Sequence, residues 1–279
     1  MSKIDNIDYG KYKRFFSFGC SFTDYQWPTW ADIIGKHIPE YYNCGQSGAG
    51  NIFISNQISE MHQRYNFQKD DLIIVMWSSI NREDKYIKNH WVTYGNIYNN
   101  DFYDKSYIKK YVDYRGFLIR DLALISMTYY FLNSLECDFC MLSMSNLVKL
   151  TYNCGEHTDF DKFRDQLSDV LKLYHTVISN IKPSFYDSLY DGNPPKPLKL
   201  KKRTGDNKFE YFFDGHAGPL DHLKYLEKVF KNFKISKNVY EFIFDETEKM
   251  NSYTRTSYEY DLNSVHMLWK KRSKLYDKL

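Results

Sequence analysis

Short apolar runs bounded by turn residues recur along the first half of the chain. Phe15, Phe16 and Phe18 precede a turn that contains Gly19 and Ser21, and the run DLIIVMW at 71–77 is continuously apolar and rich in β-branched residues. A continuously apolar run such as 71–77 is typical of a strand buried on both faces of a parallel sheet. Further short strands are predicted at 41–43 and 138–144.

Helical periodicity alternates with these strands. Trp30, Ile33 and Ile34 share one face of a predicted helix, and Pro28 suits its first turn. The same spacing predicts helices at about 52–65, 114–135, 161–181 and 219–233. Strands and helices in alternation predict an α/β fold, a three-layer α/β/α sandwich around a central, mainly parallel sheet.

Three segments interrupt this pattern. Residues 85–113 are polar, rich in Tyr and Asn and without clear period, which suits either a substrate lid or an inert surface insertion. Residues 182–207 form a Pro-, Gly- and Lys-rich loop insertion. The charged, aromatic tail 236–279 is predicted to be a helical extension packed on the α/β domain of residues 1–235.

Composition narrows the class of protein. The chain has 279 residues, of which 43% are hydrophobic and 26% charged, a balance typical of one large globular domain. Its net charge is only +3 and its one basic cluster, Lys196–Arg203, lies in a predicted loop, so nucleic-acid binding is not supported. An aromatic share of 18% leaves a carbohydrate-binding surface open as an alternative to biased composition.

The cellular compartment is predicted from signal and membrane-spanning segments and from the cysteine count. Residues 1–14 contain no apolar signal region, and no apolar run is long enough to cross a membrane. Five cysteines, an odd number, favour thiols in a reducing compartment, and Cys137 and Cys140 are interpreted as buried packing residues rather than a metal or redox pair. We therefore expect a cytoplasmic protein with no cofactor, no metal and no membrane partner.

One serine and one histidine stand out as candidates for nucleophilic chemistry. A serine nucleophile needs a base, an acid that orients the base, and donors for the oxyanion. Ser21 lies in a strand-to-helix turn, and His216 lies with Asp214 in a turn just before a predicted helix. His222, on that helix, is interpreted as a packing residue.

Four motifs in order resemble the SGNH (GDSL-type) hydrolases, most closely their uncharacterised bacteriophage-type members. They are GCSFT at 19–23, NCGQSG at 43–48, WSSINR at 77–82 and DGHAGPLDHL at 214–223. The resemblance spans about residues 13–235. It implies a flavodoxin-like sandwich and a serine hydrolase without metal or cofactor.

The resemblance also implies an oxyanion hole. The backbone N–H of Ser21 matches the first donor and that of Gly48 the second, where the missing side chain lets the backbone approach the substrate. The family's third donor is an Asn side chain. Because WSSINR is displaced by about one position from the family pattern, Asn81 is the first choice for this donor and Ser79 the alternative.

The remaining roles follow from the first and last motifs. Ser21 matches the nucleophile, His216 the base and Asp214 the acid, although Asp214 stands two residues before the histidine where the family has three. The implied reaction is hydrolysis of an acyl ester, such as an O-acetyl group on a glycan. An acyltransferase using the same site, and a non-catalytic glycan-binding or virion protein, are the alternatives. A phage-encoded protein would act in the host cytoplasm or the virion.

Overall fold

The computed structural model describes residues 4–98, 103–147, 160–205 and 208–251. The strands are β1 Arg14–Phe18, β2 Glu40–Asn43, β3 Asp71–Trp77, β4 Arg82–Ile87, β5 His90–Asn96, β6 Asp138–Ser143, β7 Leu198–Gly205 and β8 Lys208–Asp214. The helices are α1 Trp30–Gly35, α2 Asn51–Tyr65, α3 Lys105–Tyr111, α4 Tyr114–Ser134, α5 Phe160–Leu173, α6 His175–Ile178, α7 Phe185–Tyr190, α8 Pro219–Val229 and α9 Lys237–Asn251.

A four-stranded parallel sheet forms the centre of the fold, in the order β2-β1-β3-β6. Phe16 of β1 lies opposite Tyr42 on one side and Ile73 on the other. Every residue of β3 is buried, as its continuous apolar run predicts. The four strands predicted from the sequence are thus confirmed.

Helices cover both faces of this sheet. Helix α2 packs on α4, while α1 and α7 both pack on α8, so the fold is the predicted three-layer α/β arrangement. Thr29 and Asp32 form a reciprocal capping box at the start of α1. Pro28 therefore lies before the cap and not in the first turn, where the sequence placed it. Cys137 and Cys140 are fully buried in the core.

The segment 85–113 contains regular structure that its polar composition did not predict. Strands β4 and β5 form an antiparallel hairpin, and α3 follows it. The two-residue turn of the hairpin consists of Lys88 and Asn89, with φ of 50° and 65°. Left-handed turns of this kind usually carry Asn-Gly, so Lys-Asn gave no recognisable turn signal.

The structure also differs from the prediction at two later segments. Residues 182–207, predicted as a loop, contain the short helix α7 and the strand β7. The single helix predicted at 161–181 is divided at Tyr174 into α5 and α6.

The chain divides into two compact units. The first comprises residues 1–195 and 216–247 and contains the parallel sheet and the β4–β5 hairpin. The second comprises residues 196–215 and 248–279, and its described part contains the antiparallel hairpin of β7 and β8. The predicted boundary at residue 235 stays a prediction, since most of the tail after it, 252–279, lies outside the described residues.

Within the described part of the chain, no helix is both long enough and apolar enough to cross a membrane.

Candidate active site

Ser21 lies in a tight turn directly after β1, at the edge of the sheet where the parallel strands end. The backbone N–H groups of Thr23 and Asp24 both donate to the carbonyl of Cys20, at 2.8 and 3.1 Å, and this closes the turn. A Cβ at Gly19 would lie 2.0 Å from Thr23 Oγ1, so only glycine fits there. The carboxyl edge of a parallel sheet is the usual location of a ligand site in this fold class.

His216 is in hydrogen-bond contact with Ser21. Its Nε2 lies 2.8 Å from Ser21 Oγ, although the two residues are 195 positions apart in sequence. The histidine stands in the loop between β8 and α8, and Ser21 is 4% exposed. If the imidazole is neutral with its proton on Nδ1, Nε2 can accept the proton of the serine hydroxyl, which is the geometry that a general base requires.

Two aromatic residues after Ser21 hold the histidine loop in place, and the sequence interpretation did not identify either of them. The ring of Tyr25 stacks on His216 with centroids 3.8 Å apart and planes at 25°. The indole Nε1 of Trp27 donates to the carbonyl of Ala217 at 2.7 Å. The only sequence signal for this role was the concentration of aromatic residues immediately after the serine.

His222 lies beneath this loop as a packing residue. It is buried, with ring centroids 5.9 Å from Phe22 and 5.0 Å from Phe185. Burial, together with the charge of His216, lowers the pKa of His222 to about 3. His222 is therefore neutral at physiological pH, which agrees with its predicted packing role.

The glycine-rich turn after β2 lies against the serine turn on one side and the hairpin on the other. The N–H of Gln46 donates to the carbonyl of Gly19 at 3.0 Å, and Gln46 Nε2 donates to Thr93 Oγ1 at 2.9 Å. Gly48 has φ +76°, and a Cβ there would lie 2.3 Å from the carbonyl oxygen of Thr93. Glycine is thus needed to accommodate β5, a reason that the sequence did not supply. The role of its N–H as an oxyanion donor stays a prediction.

The loop after β3 contains both candidates for the third donor. Asn81 and Ser79 are buried, and the side-chain oxygen of Asn81 has no hydrogen-bond partner among the described residues. That oxygen is an acceptor, whereas an oxyanion needs the N–H groups of the amide. The assignment of Asn81 over Ser79 as the third donor remains a prediction.

Asn51 holds this loop in place and was also missed by the sequence interpretation. Its side chain accepts from the N–H of Ser78 at 2.8 Å and donates to the Ser78 carbonyl at 3.1 Å. The same amide donates to Asp121 at 2.7 Å. Burial raises the pKa of Asp121 to about 6.

Asp214 is the last residue of β8 and belongs to the second compact unit. Its predicted role, to orient His216, stays a prediction. Among the described residues, no group of three or more His, Cys, Asp and Glu side chains is placed to hold a metal ion.

No family model matches the sequence, and no curated protein matches it. Several solved structures resemble it at low identity. A candidate acylhydrolase from Bacteroides fragilis is 13% identical, over 83% of this chain and 88% of that one, with a TM-score of 0.39. A member of the lipolytic G-D-S-L family from Veillonella parvula is 14% identical, over 79% and 99%, with a TM-score of 0.36.

A third is a variant of an acetyl xylan esterase from Geobacillus stearothermophilus, which is 12% identical, over 84% of this chain and 99% of that one, with a TM-score of 0.36. These neighbours are acylhydrolases and an esterase, but likenesses this weak identify no activity. The functional argument therefore rests on the geometry around Ser21 and His216.

Proposed function

We propose that the chain is a serine esterase that hydrolyses a carboxylic ester through Ser21 and His216. One observation carries the proposal: the 2.8 Å contact between His216 Nε2 and Ser21 Oγ, in a turn at the carboxyl edge of a parallel sheet. Because the two residues are so far apart in sequence, only the tertiary structure can bring the hydroxyl and the imidazole into contact. A nucleophile with its base at hydrogen-bond distance is the arrangement that acyl transfer requires.

In the proposed reaction, His216 Nε2 takes the hydroxyl proton while Ser21 Oγ attacks the ester carbonyl carbon. The carbonyl electron pair moves to oxygen, and the N–H groups of Ser21 and Gly48 with the amide of Asn81 stabilise this oxyanion. His216 then protonates the departing alkoxide, which leaves an acyl-enzyme and an alcohol. Water, deprotonated by His216, then attacks the acyl carbon, and the bond to Ser21 Oγ breaks as His216 returns the proton to that oxygen and the acid leaves. In this proposal Asp214 orients the imidazole throughout.

The proposed substrate is an acyl ester of a sugar, with acetyl as the acyl group. The support is the aromatic share of the chain, since aromatic rings commonly form the walls of sugar sites, and the resemblance of the four motifs. No step in this reaction calls for a metal or an organic cofactor.

A fluorophosphonate serine probe followed by peptide mass spectrometry tests the proposal. The expected result is a single phosphonylated site at Ser21, lost in Ser21→Ala and slowed by about 10² or more in His216→Ala. Ser59→Ala is the matched control, because Ser59 is an exposed serine on α2 and its loss leaves labelling unchanged. Labelling elsewhere, or equal labelling of wild type and His216→Ala, would contradict the proposal.

A further inference from the structure

The guanidinium of Arg82 contacts the glycine-rich turn and also a methionine that contacts the serine turn. Arg82 is the first residue of β4, and its Nη1 donates to the carbonyl of Ala49 at 2.9 Å. Its Nη2 lies 3.8 Å from the sulfur of Met144, and the sulfur of Cys20 lies 3.8 Å from the same atom. A positive charge thus lies next to Ala49, the residue after Gly48, and is joined through Met144 to the side chain of Cys20, the residue before Ser21.

This guanidinium has more N–H donors than the surrounding residues provide acceptors for. Of its five N–H groups, one has an oxygen partner in the described part of the chain, and Nε is buried without any. A buried donor without an acceptor is unfavourable, and more so when it is charged, so native structures seldom leave one unmatched. The Nε N–H of this half-buried side chain is therefore short of an anionic or oxygen-rich partner.

The carboxylates of Asp84 and Asp121 accept hydrogen bonds from donors other than Arg82. Asp84 accepts from the backbone N–H groups of Gly50 and Phe53, both at 2.8 Å. Burial raises the pKa of Asp84, and the charge of Arg82 opposes that rise without an ion pair between the two. Asp121 pairs with Arg120 at 2.7 Å.

We propose that Arg82 binds an acidic group of the ester substrate, so that the preferred substrates are anionic esters carrying a carboxylate, sulfate or phosphate near the scissile bond. This inference rests on the proposed esterase function and specifies its substrate class. A purely structural tie to Ala49 needs one N–H, which lysine can supply. The planar fork of an arginine suits an anion with two oxygens.

Binding to the inert Ser21→Ala protein tests the inference without requiring turnover. Isothermal titration compares 4-acetoxybenzoate with its neutral methyl ester, which places the charge on the alcohol side. A second pair, mono(4-nitrophenyl) glutarate and 4-nitrophenyl butyrate, places it on the acyl side. We expect the acid of at least one pair to bind about tenfold or more tightly than its neutral counterpart, the value of one charged hydrogen bond.

Further substitutions in the Ser21→Ala protein show whether Arg82 causes the tighter binding of the acid. Arg82→Gln is expected to bring the acid-to-neutral affinity ratio close to one. Lys85→Gln, which removes a cation of the same strand, is expected to keep the ratio of the parent. Arg82→Lys retains a donor for Ala49 and is expected to lower the ratio severalfold, so it decides the matter if Arg82→Gln fails to fold.

Equal binding of acid and neutral ester in both pairs would overturn the inference. So would a preference for the acid that survives both Arg82 substitutions. Hydrolysis of all four esters by wild type is measured in parallel. Inactivity of wild type towards all four esters, with no labelling of Ser21 by the phosphonate probe, refutes the esterase, whereas equal binding of acid and neutral ester by an active enzyme refutes only the role of Arg82.

Discussion

The phenol ring of Tyr25 lies face to face with the imidazole of His216, with centroids 3.8 Å apart and an angle of 25° between the planes. Tyr25 is the fourth residue after Ser21, so one short segment carries both the hydroxyl and the ring on which His216 stacks. The contact limits rotation of the imidazole and keeps its Nε2 directed at the serine hydroxyl.

Removing that stacking surface is expected to weaken the action of the base. Tyr25→Leu should lower kcat/KM by about tenfold, because the imidazole loses the ring that holds it against Ser21 and a displaced base transfers the proton less efficiently. Tyr25→Phe keeps an aromatic face and should keep the wild-type value. The measurement is kcat/KM on p-nitrophenyl acetate at a fixed pH. Equal values in all three proteins would show that the stacking has no influence on His216.

The buried His222 predicts a loss of stability in mild acid. Its pKa is about 3 in the folded protein and near 6.5 in the unfolded chain, so between these values the unfolded chain binds the extra proton. Stability therefore falls as the pH drops from 6.5 towards 3, by up to about 1.4 kcal/mol per pH unit from this residue. Asp121, with its pKa raised to about 6, acts in the opposite direction below that pH.

Urea unfolding of wild type and His222→Gln at pH 7, 6 and 5 isolates the histidine, since Asp121 is common to both proteins. The variant should lose less stability over this range than wild type, whatever its stability at pH 7. Parallel slopes would mean that His222 titrates normally in the folded protein.

Gly48→Ala tests the contact between the glycine-rich turn and the hairpin. The added Cβ would meet the Thr93 carbonyl at 2.3 Å in a backbone with φ +76°, so we expect a loss of about 1–3 kcal/mol in the free energy of unfolding. Gly116→Ala is the matched control, because that glycine in α4 has ordinary contacts of 3.7 Å or more and no positive φ. Equal stabilities for the two variants would contradict the account.

Asn51→Ala tests the network that holds the loop after β3. It leaves the N–H of Ser78 and one oxygen of Asp121 without their partner, and it should cost about 2–4 kcal/mol of stability. Asn56→Ala, on the same helix, removes an exposed side chain that bonds only to its own helix, and should cost under about 1 kcal/mol. Thermal unfolding of both variants is the measurement. Comparable losses would show that the buried amide holds nothing in place.

The sequence predicted the elements whose patterns are set by burial. A strand buried on both faces must be apolar throughout, so β3 was recognisable, and its neighbours β1 and β6 followed from similar short runs. The β4–β5 hairpin was missed because its half-exposed residues carry no strict alternation and its turn is Lys88–Asn89. The hairpin of β7 and β8 was missed because β7 is rich in lysine and follows prolines, a composition typical of loops.

The site was predictable only as far as motif order could indicate it. Ser21 and His216 were paired from their resemblance to a family, and the structure places them in contact. Arg82 could not be identified because sequence position does not say where a long side chain ends. The guanidinium contacts Ala49 and Met144, which are distant from Arg82 in the chain and belong to no recognisable arginine-binding motif.

The most direct test of the account is hydrolysis of p-nitrophenyl acetate and butyrate by the purified protein, beside Ser21→Ala, His216→Ala and the exposed-histidine control His175→Ala. The account predicts turnover by wild type and the control, with a fall of about 10³ or more in kcat for each of the two site variants. Equal activity in all four proteins would place the chemistry elsewhere. Inactivity of all four towards both esters, with no labelling of Ser21 by the phosphonate probe, would contradict a serine esterase.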